Sequence, residues 1–68
     1  MYGYLNHSIG GGALAFVIFK SNTSGVVNAA TCKIEPRRWN ELEEDKAEYI
    51  ARLAGEDEAL KLCQLLNR

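Results

Sequence analysis

The sequence has few of the residues from which metal sites and catalytic sets are usually built. Its 68 residues include a single histidine, His7, and two cysteines, Cys32 and Cys63. A structural zinc site needs four closely spaced ligands, and these three residues are far apart along the chain. His7 is adjacent to Ser8, and adjacent residues of a strand point to opposite faces, so the two do not form a nucleophile and its base. We therefore expect no metal, no cofactor and no enzyme activity.

Long apolar segments and targeting signals are also scarce. The longest apolar run covers only residues 13–19, whereas a helix that crosses a bilayer needs about 20 apolar residues. Neither a basic region nor a small-residue cleavage site follows Met1, so we predict no secretory signal, no membrane span and a cytoplasmic location. Thiols stay reduced in that compartment, and we expect Cys32 and Cys63 to be small buried hydrophobes.

Positive charge is sparse as well. The net charge is −1 at pH 7, and residues 41–58 carry eight acidic side chains against two basic ones, Lys46 and Arg52. Proteins bind nucleic acid largely by neutralising phosphates with basic side chains, so the charge does not favour a nucleic-acid partner. The triglycine at 10–12 lacks the lysine and the helix that follow a phosphate-binding loop. It predicts a connection between strands, and no small-molecule substrate is evident.

The residues that are present divide the sequence at Pro36. Residues 1–35 are rich in glycine, hydroxylated, β-branched and aromatic residues, whereas residues 36–68 are rich in leucine, alanine and charged residues. Strands followed by helices, without alternation, are typical of an α+β fold. We predict a single domain over 1–68, in which a small antiparallel β-hairpin or three-stranded sheet is followed by two or three helices packed on one face.

Two bounded runs predict the hairpin. Residues 13–20 follow the triglycine, and residues 26–34 follow a polar five-residue stretch, 21–25, which ends in glycine and suits a hairpin loop. Parity in the second run places Cys32 and Ile34 on the same, core-facing side. Residues 2–7 predict a third strand, at the edge of the sheet.

The start of the helical half predicts a short helix. Pro36 suits a first helical turn because its missing N–H costs nothing there. A single helix over 36–54 would place Lys46 in the middle of the apolar face, so we favour a break near 43–45. The alternative is a continuous helix over 36–54, in which Lys46 lays its stem on the apolar face and extends its ammonium into solvent.

Two further helices are predicted after the break. The first covers 44–54 and ends at Gly55, the residue type that commonly follows a helix. The second opens with the acidic residues 56–58, which favour the positive end of a helix dipole. Its apolar stripe consists of Ala59, Leu62, Cys63 and Leu66.

One stretch of these helices resembles a known DNA-binding motif. Residues 49–55 read Tyr-Ile-Ala-Arg-Leu-Ala-Gly and continue into residues 56–60 and 65–68. The stretch resembles the helix-turn-helix of LacI-type repressors, in which a similar Ala-Arg-Leu-Ala-Gly segment leads into the recognition helix. The resemblance implies a nucleic-acid-binding helix pair at 49–67, which is the alternative function. Two packed helices joined by a tight glycine turn account for the same pattern without DNA.

The apolar run 13–19 carries the main functional prediction, because both of its faces are apolar. An antiparallel sheet covered on one side normally has a polar outer face, and the predicted helices supply only one cover. We therefore predict that another chain covers the second face. The two faces are formed by Leu14, Phe16 and Ile18 and by Ala15, Val17 and Phe19.

The predicted interface combines this outer face with the start of the helical half. Arginine and tryptophan are enriched at binding hot spots, although Trp39 suits a core position equally well. The residues predicted to contact a partner are Val17, Phe19, Val27, Ala29, Arg37, Arg38 and Trp39. The sequence thus predicts a non-enzymatic protein-interaction module that forms a homo-oligomer, binds a larger protein target, or both. Small domains of this kind are common among phage and mobile-element inhibitors, including anti-CRISPR proteins.

Overall fold

A three-stranded antiparallel sheet, whose strands lie side by side in chain order, organises the protein. A computed structural model describes residues 1–9 and 13–68, and for residues 8, 9, 13 and 14 the backbone only. Helical and extended segments together confirm the α+β class. The elements, in chain order, are β1 (Tyr2–Ile9), β2 (Ala13–Lys20), a 3₁₀ helix (Pro36–Arg38), α1 (Trp39–Glu44), β3 (Glu48–Leu53) and α2 (Glu56–Leu66).

The first two strands agree with the sequence prediction. Strand β1 forms the predicted edge strand and pairs with β2, with Tyr4 opposite Ile18 and Leu5 opposite Val17. The predicted triglycine connection at 10–12 lies outside the described residues. None of the helices in the described part of the chain is long and apolar enough to cross a membrane.

Strand β2 is covered on both faces by the chain itself. Its two faces contribute to two separate clusters of buried residues, and α1 and α2 pack on opposite sides of the sheet instead of on one face. The α1-side core consists of Leu5, Val17, Phe19, Val26, Val27, Ile34 and Leu42. The α2-side core consists of Tyr4, Ile18, Cys32, Ala59 and Cys63.

The second cover is the irregular segment 21–35, which the sequence wrongly predicted as a hairpin loop and a strand. Within the described part of the chain, one isolated parallel bridge between Tyr4 and Lys33 pairs it with the sheet. The side-chain oxygen of Asn28 accepts the backbone N–H groups of Ala30 (2.9 Å) and Thr31 (3.2 Å). This local turn competes with strand formation, as asparagine turns commonly do.

Cys32 then reverses the expected side-chain parity. Its φ is 60°, in the left-handed region, which an L-residue adopts only at a cost. The reversal sends Cys32 into the α2-side core and Ile34 into the α1-side core. The prediction that both lie on one face is therefore wrong, because it assumed regular alternation.

Asp45 fastens the start of this segment to the end of α1. Its carboxylate accepts the backbone N–H groups of Asn22 (2.8 Å) and Thr23 (3.1 Å). These hydrogen bonds, that of Asn22 first, hold the pKa of Asp45 below its ordinary value of 3.8. Their stabilisation is therefore present above that pH and is lost as the pH falls through the lowered pKa.

The helix predicted over 44–54 is absent, because a left-handed residue stops α1 and the chain continues as β3. Lys46 has a φ of 54°. Its N–H donates to the carbonyl of Glu43 (3.1 Å), and the N–H of Ala47 donates to that of Leu42 (3.0 Å). This pair of bonds is a Schellman motif, with Ala47 packed against the α1-side core that contains Leu42.

The other predictions for the helical half have different outcomes. The predicted short helix after Pro36 and the break near 43–45 are confirmed. Gly55 ends no helix; it is the N-cap of α2, with a φ of −110°. The predicted last helix is confirmed, with Ala59 and Cys63 as its buried residues.

Replacing Lys46 by glycine is expected to stabilise the protein. Glycine adopts a positive φ without the Cβ penalty, so Lys46→Gly should raise the free energy of unfolding by about 1 kcal/mol. Lys46→Ala removes the same charge but keeps the Cβ, and it should leave stability within about 0.5 kcal/mol of the parent. Urea unfolding followed by circular dichroism measures both. A Lys46→Gly protein less stable than Lys46→Ala would contradict this account of the turn.

Gly3 lies where the irregular segment comes closest to β1. A Cβ built on Gly3 lies 2.7 and 2.8 Å from the two methyl carbons of Val27 and 3.0 Å from Ile34. Such distances require the neighbouring side chains to shift.

We therefore expect Gly3→Ala to destabilise the protein by about 1–3 kcal/mol through overpacking. Gly55→Ala is the matched control, because its Cβ meets only Glu58, at an ordinary 3.7 Å. Alanine is a poorer N-cap residue than glycine, so this variant should lose up to about 1 kcal/mol, less than Gly3→Ala. Equal losses for the two variants, measured by thermal unfolding, would argue against close packing of 21–35 on β1.

Candidate interaction surface

The outer-face residues predicted to meet a partner are mostly buried within the chain. Val17 is 7% exposed, Phe19 8% and Val27 7%, so segment 21–35 and α1 already cover this face. The expectation that it lacks a cover in the monomer is wrong. Ala29 is exposed in the turn of the irregular segment. Together these residues form no continuous exposed patch.

The two arginines are engaged by the chain's own acceptors. The Arg38 guanidinium donates to the carbonyl of Gly25 (2.6 Å) and pairs with Glu41. The Glu41 carboxylate raises the pKa of Arg38, and the guanidinium in turn lowers the pKa of Glu41. Arg37 is exposed and pairs with Glu35. Arg38 therefore holds the irregular segment against α1.

Trp39 lies between core and surface. It packs against the α1-side core, where its ring forms a T-shaped pair with that of Phe19 at 5.6 Å between centroids. Its face stacks on the exposed His7 of β1 at 5.4 Å, and its N–H donates to Glu43. These contacts hold α1 against β1, so much of the Trp39 side chain is used in packing within the chain.

The hydroxyl of Tyr4 belongs to a polar cluster between β1 and α2. It donates to Glu56 (3.1 Å), and the Lys33 ammonium lies 3.5 Å from the same carboxylate oxygen. Burial, and then the hydrogen bond to Glu56, raise the pKa of Tyr4 to about 12. The phenol therefore stays protonated at neutral pH and acts as a donor that holds α2 on β1. An open cavity of about 300 Å³ adjoins this cluster.

The cysteines are free thiols in the α2-side core. Cys32 and Cys63 are both buried, and burial raises the pKa of Cys63 to about 11. A protonated, shielded thiol is a poor nucleophile and metal ligand. Within residues 1–9 and 13–68, no group of three or more histidine, cysteine or acidic side chains is placed to hold a metal ion.

The outer edge of β1 is closed near its start. The Tyr4 N–H donates to the carbonyl of Cys32 (2.8 Å), and the Tyr4 carbonyl accepts the N–H of Ile34 (2.8 Å). The Asn67 amide does the same at Tyr2, accepting its N–H (2.7 Å) and donating to its carbonyl (2.8 Å). The backbone N–H and C=O groups of Tyr2 and Tyr4 point away from β2, and all four have hydrogen-bond partners within the chain. This end of the edge therefore cannot receive another strand.

Among residues 1–9 and 13–68, no hydrogen bonds of this kind close the outer edge of β3. Strand β3 is the last strand of the sheet, and the hydrogen bonds of the described residues link neither an irregular segment nor a side chain to its outer backbone. Edge backbone groups without hydrogen-bond partners are sites for pairing with another chain. Tyr49 on this strand is 57% exposed.

The adjoining flank of α2 carries three leucines beside the exposed Glu58. The opposite flank faces β1, because Glu56 and Asn67 bond to that strand. On the β3 flank, Leu62 and Leu66 are only partly buried against the α2-side core, and Leu65 is 59% exposed. We call the outer edge of β3 together with Tyr49, Arg52, Leu62, Leu65 and Leu66 the β3 surface.

Sequence reasoning missed this surface because it assigned residues 48–53 to a helix. The signal that favours a strand is the pair Tyr49-Ile50, two residue types enriched in strands. The strand assignment also removes the first helix of the LacI-type resemblance. Only its second half, α2, is helical in the protein.

Comparisons with protein families, curated proteins and solved structures find no match to this chain. The functional argument therefore rests on the chain's own geometry.

The amide of Asn67 is expected to stabilise the closed edge measurably. Asn67→Ala removes both hydrogen bonds to Tyr2 and leaves its backbone without these partners, so it should lower the free energy of unfolding by about 1–3 kcal/mol. Gln64→Ala, at an exposed position of the same helix, should change it by less than about 0.5 kcal/mol. Urea unfolding distinguishes the two, and an Asn67→Ala protein as stable as the control would contradict the role given to this amide.

Proposed function

We propose that this chain is a non-enzymatic protein-interaction module that binds through the β3 surface. The observation that supports the proposal most directly is the difference between the two sheet edges. Backbone and side-chain hydrogen bonds close β1 at Tyr2 and Tyr4, whereas β3 ends the sheet with an exposed Tyr49.

Addition of a strand is the binding mode that such an edge favours. The backbone groups of an edge strand supply affinity, and side chains on its two faces supply specificity. Leu65 and the partly buried Leu62 and Leu66 extend the surface beyond the strand. Burial of these side chains removes apolar area from water, which contributes about 25 cal/mol per Å².

The nucleic-acid alternative receives no support from the geometry. Residues 49–53, which the resemblance assigns to a helix, lie in β3. The first turn of α2 carries Glu56, Asp57 and Glu58, and carboxylates repel phosphates instead of releasing their counterions. We therefore propose protein binding alone.

Site-specific photo-crosslinking tests the proposal. A photo-crosslinking amino acid in place of Tyr49 should form protein adducts in cells that produce the chain. The same amino acid in place of Ala30, an exposed residue beside the closed edge, should form few. Leu65→Asp should reduce the adducts at position 49 severalfold, because it replaces an exposed leucine of this flank by a charge.

The matched control for Leu65→Asp is Gln64→Asp, which makes the same change in charge at an exposed residue on the other flank of α2. It should leave the adducts unchanged. Equal adduct yields at positions 49 and 30, or adducts insensitive to Leu65→Asp, would show that the β3 surface is not a binding site.

A further inference from the structure

We infer that the partner of the β3 surface is a second copy of this chain, paired antiparallel through β3 around a two-fold axis between Ile50 and Ala51. This inference rests on the proposed function and names its partner. The evidence is the order in which the side chains of β3 alternate between the two sides of the sheet.

A bulge interrupts that alternation. The pairing of β2 with β3 shifts between Ile18 and Phe19, which lie opposite Ala51 and Tyr49. Ile50 is therefore the extra residue of β3. A bulge places two successive side chains on the same side of a sheet and bends the strand.

Two residues of β3 lie on the α1 side. Tyr49 packs edge-on against Phe19, with ring centroids 6.1 Å apart. Arg52 pairs with Val17, and both Phe19 and Val17 belong to the α1-side core.

The other four residues lie on the α2 side. Ile50 and Leu53 pack against the α2-side core, and Ala51 pairs with its member Ile18. Glu48 lies opposite Lys20, which is on this side by alternation from Ile18. From residue 48 to residue 53 the sides are therefore α2, α1, α2, α2, α1, α2, an order that reads the same in both directions.

A strand with this symmetry matches an antiparallel copy of itself. In the register centred between Ile50 and Ala51, every residue faces a residue on the same side of the joined sheet. Tyr49 then lies opposite the partner's Arg52, and the symmetry repeats this contact. A guanidinium over an aromatic ring is a favourable cation–π pair, and Arg52 makes no salt bridge among the described residues.

The same bulge disfavours pairing of β3 with a strand that is not a copy of itself. Bulges on edge strands hinder pairing with a regular strand, whereas a strand that carries the same bulge at the same position keeps the pairing in step on either side of it. The two-fold axis also brings the β3 flanks of the two α2 helices to one face of the joined sheet. Leu65, which is 59% exposed, then has an apolar neighbour in its own copy.

Charge complementation between two variants tests this arrangement. Tyr49→Lys places an ammonium opposite the partner's Arg52, and Arg52→Glu places a carboxylate opposite the partner's Tyr49. The dissociation constant of the dimer that each variant forms alone should be at least about tenfold higher than that of the parent.

An equimolar mixture of the two variants should recover the dimer. In a mixed dimer the ammonium introduced at position 49 of one copy faces the carboxylate introduced at position 52 of the other. The second contact is then the unchanged one between Tyr49 and Arg52. Residues 49 and 52 are both exposed, and circular dichroism should show that each variant keeps its fold.

Sedimentation equilibrium at about 100 micromolar, where a dimer of micromolar affinity is formed, measures all four samples. A dimeric parent, two weakened variants and a dimeric mixture support the inference. A monomeric parent, or variants that dimerise as well alone as mixed, overturns it. Crosslinks from position 49 to other proteins, found together with a monomeric parent, would overturn this inference and leave the proposed function standing.

Discussion

The arrangement of this protein depends on the two hydrogen bonds between the backbone of Tyr4 and the irregular segment. They join Tyr4 to Cys32 and Ile34 at 2.8 Å each, and so fix residues 32–34 along the outer edge of β1. From that edge Cys32 enters one core and Ile34 the other. A segment with no regular secondary structure thus supplies the second cover of the sheet, and a chain of 68 residues buries both faces of β2 without a partner.

The sequence predicts the elements that have strong local signals. Three such signals determine the structure of residues close to them in the sequence. They are the apolar run of β2, the proline before α1 and the acidic first turn of α2. The errors lie where backbone conformation departs from what the residue type favours. Cys32 and Lys46 both have positive φ although neither is glycine, and only the surrounding contacts hold them there. Cys32 reverses the expected alternation of side chains between the two cores. Lys46 ends α1, and the predicted helix after it is β3.

The burial of three residues of the predicted interface, Val17, Phe19 and Val27, has a related reason. The sequence shows that both faces of β2 are apolar, and that observation is correct. Counting only helices as covers led to Val17 and Phe19 as partner contacts, whereas valines and an isoleucine from the irregular segment pack on them. The candidate binding surface therefore moves from a sheet face to a sheet edge. An edge depends on strand order, which no local pattern in residues 48–53 reveals.

Amide hydrogen exchange tests the central claim, that segment 21–35 closes the β1 edge at Tyr4 and completes the core. The account predicts that the amides of Tyr4 and Ile34 exchange only through global unfolding, with the same free energy as the amide of Ile18 in the central strand. If the Ile34 amide exchanges within seconds while that of Ile18 stays protected, the segment does not hold this edge and the account is contradicted.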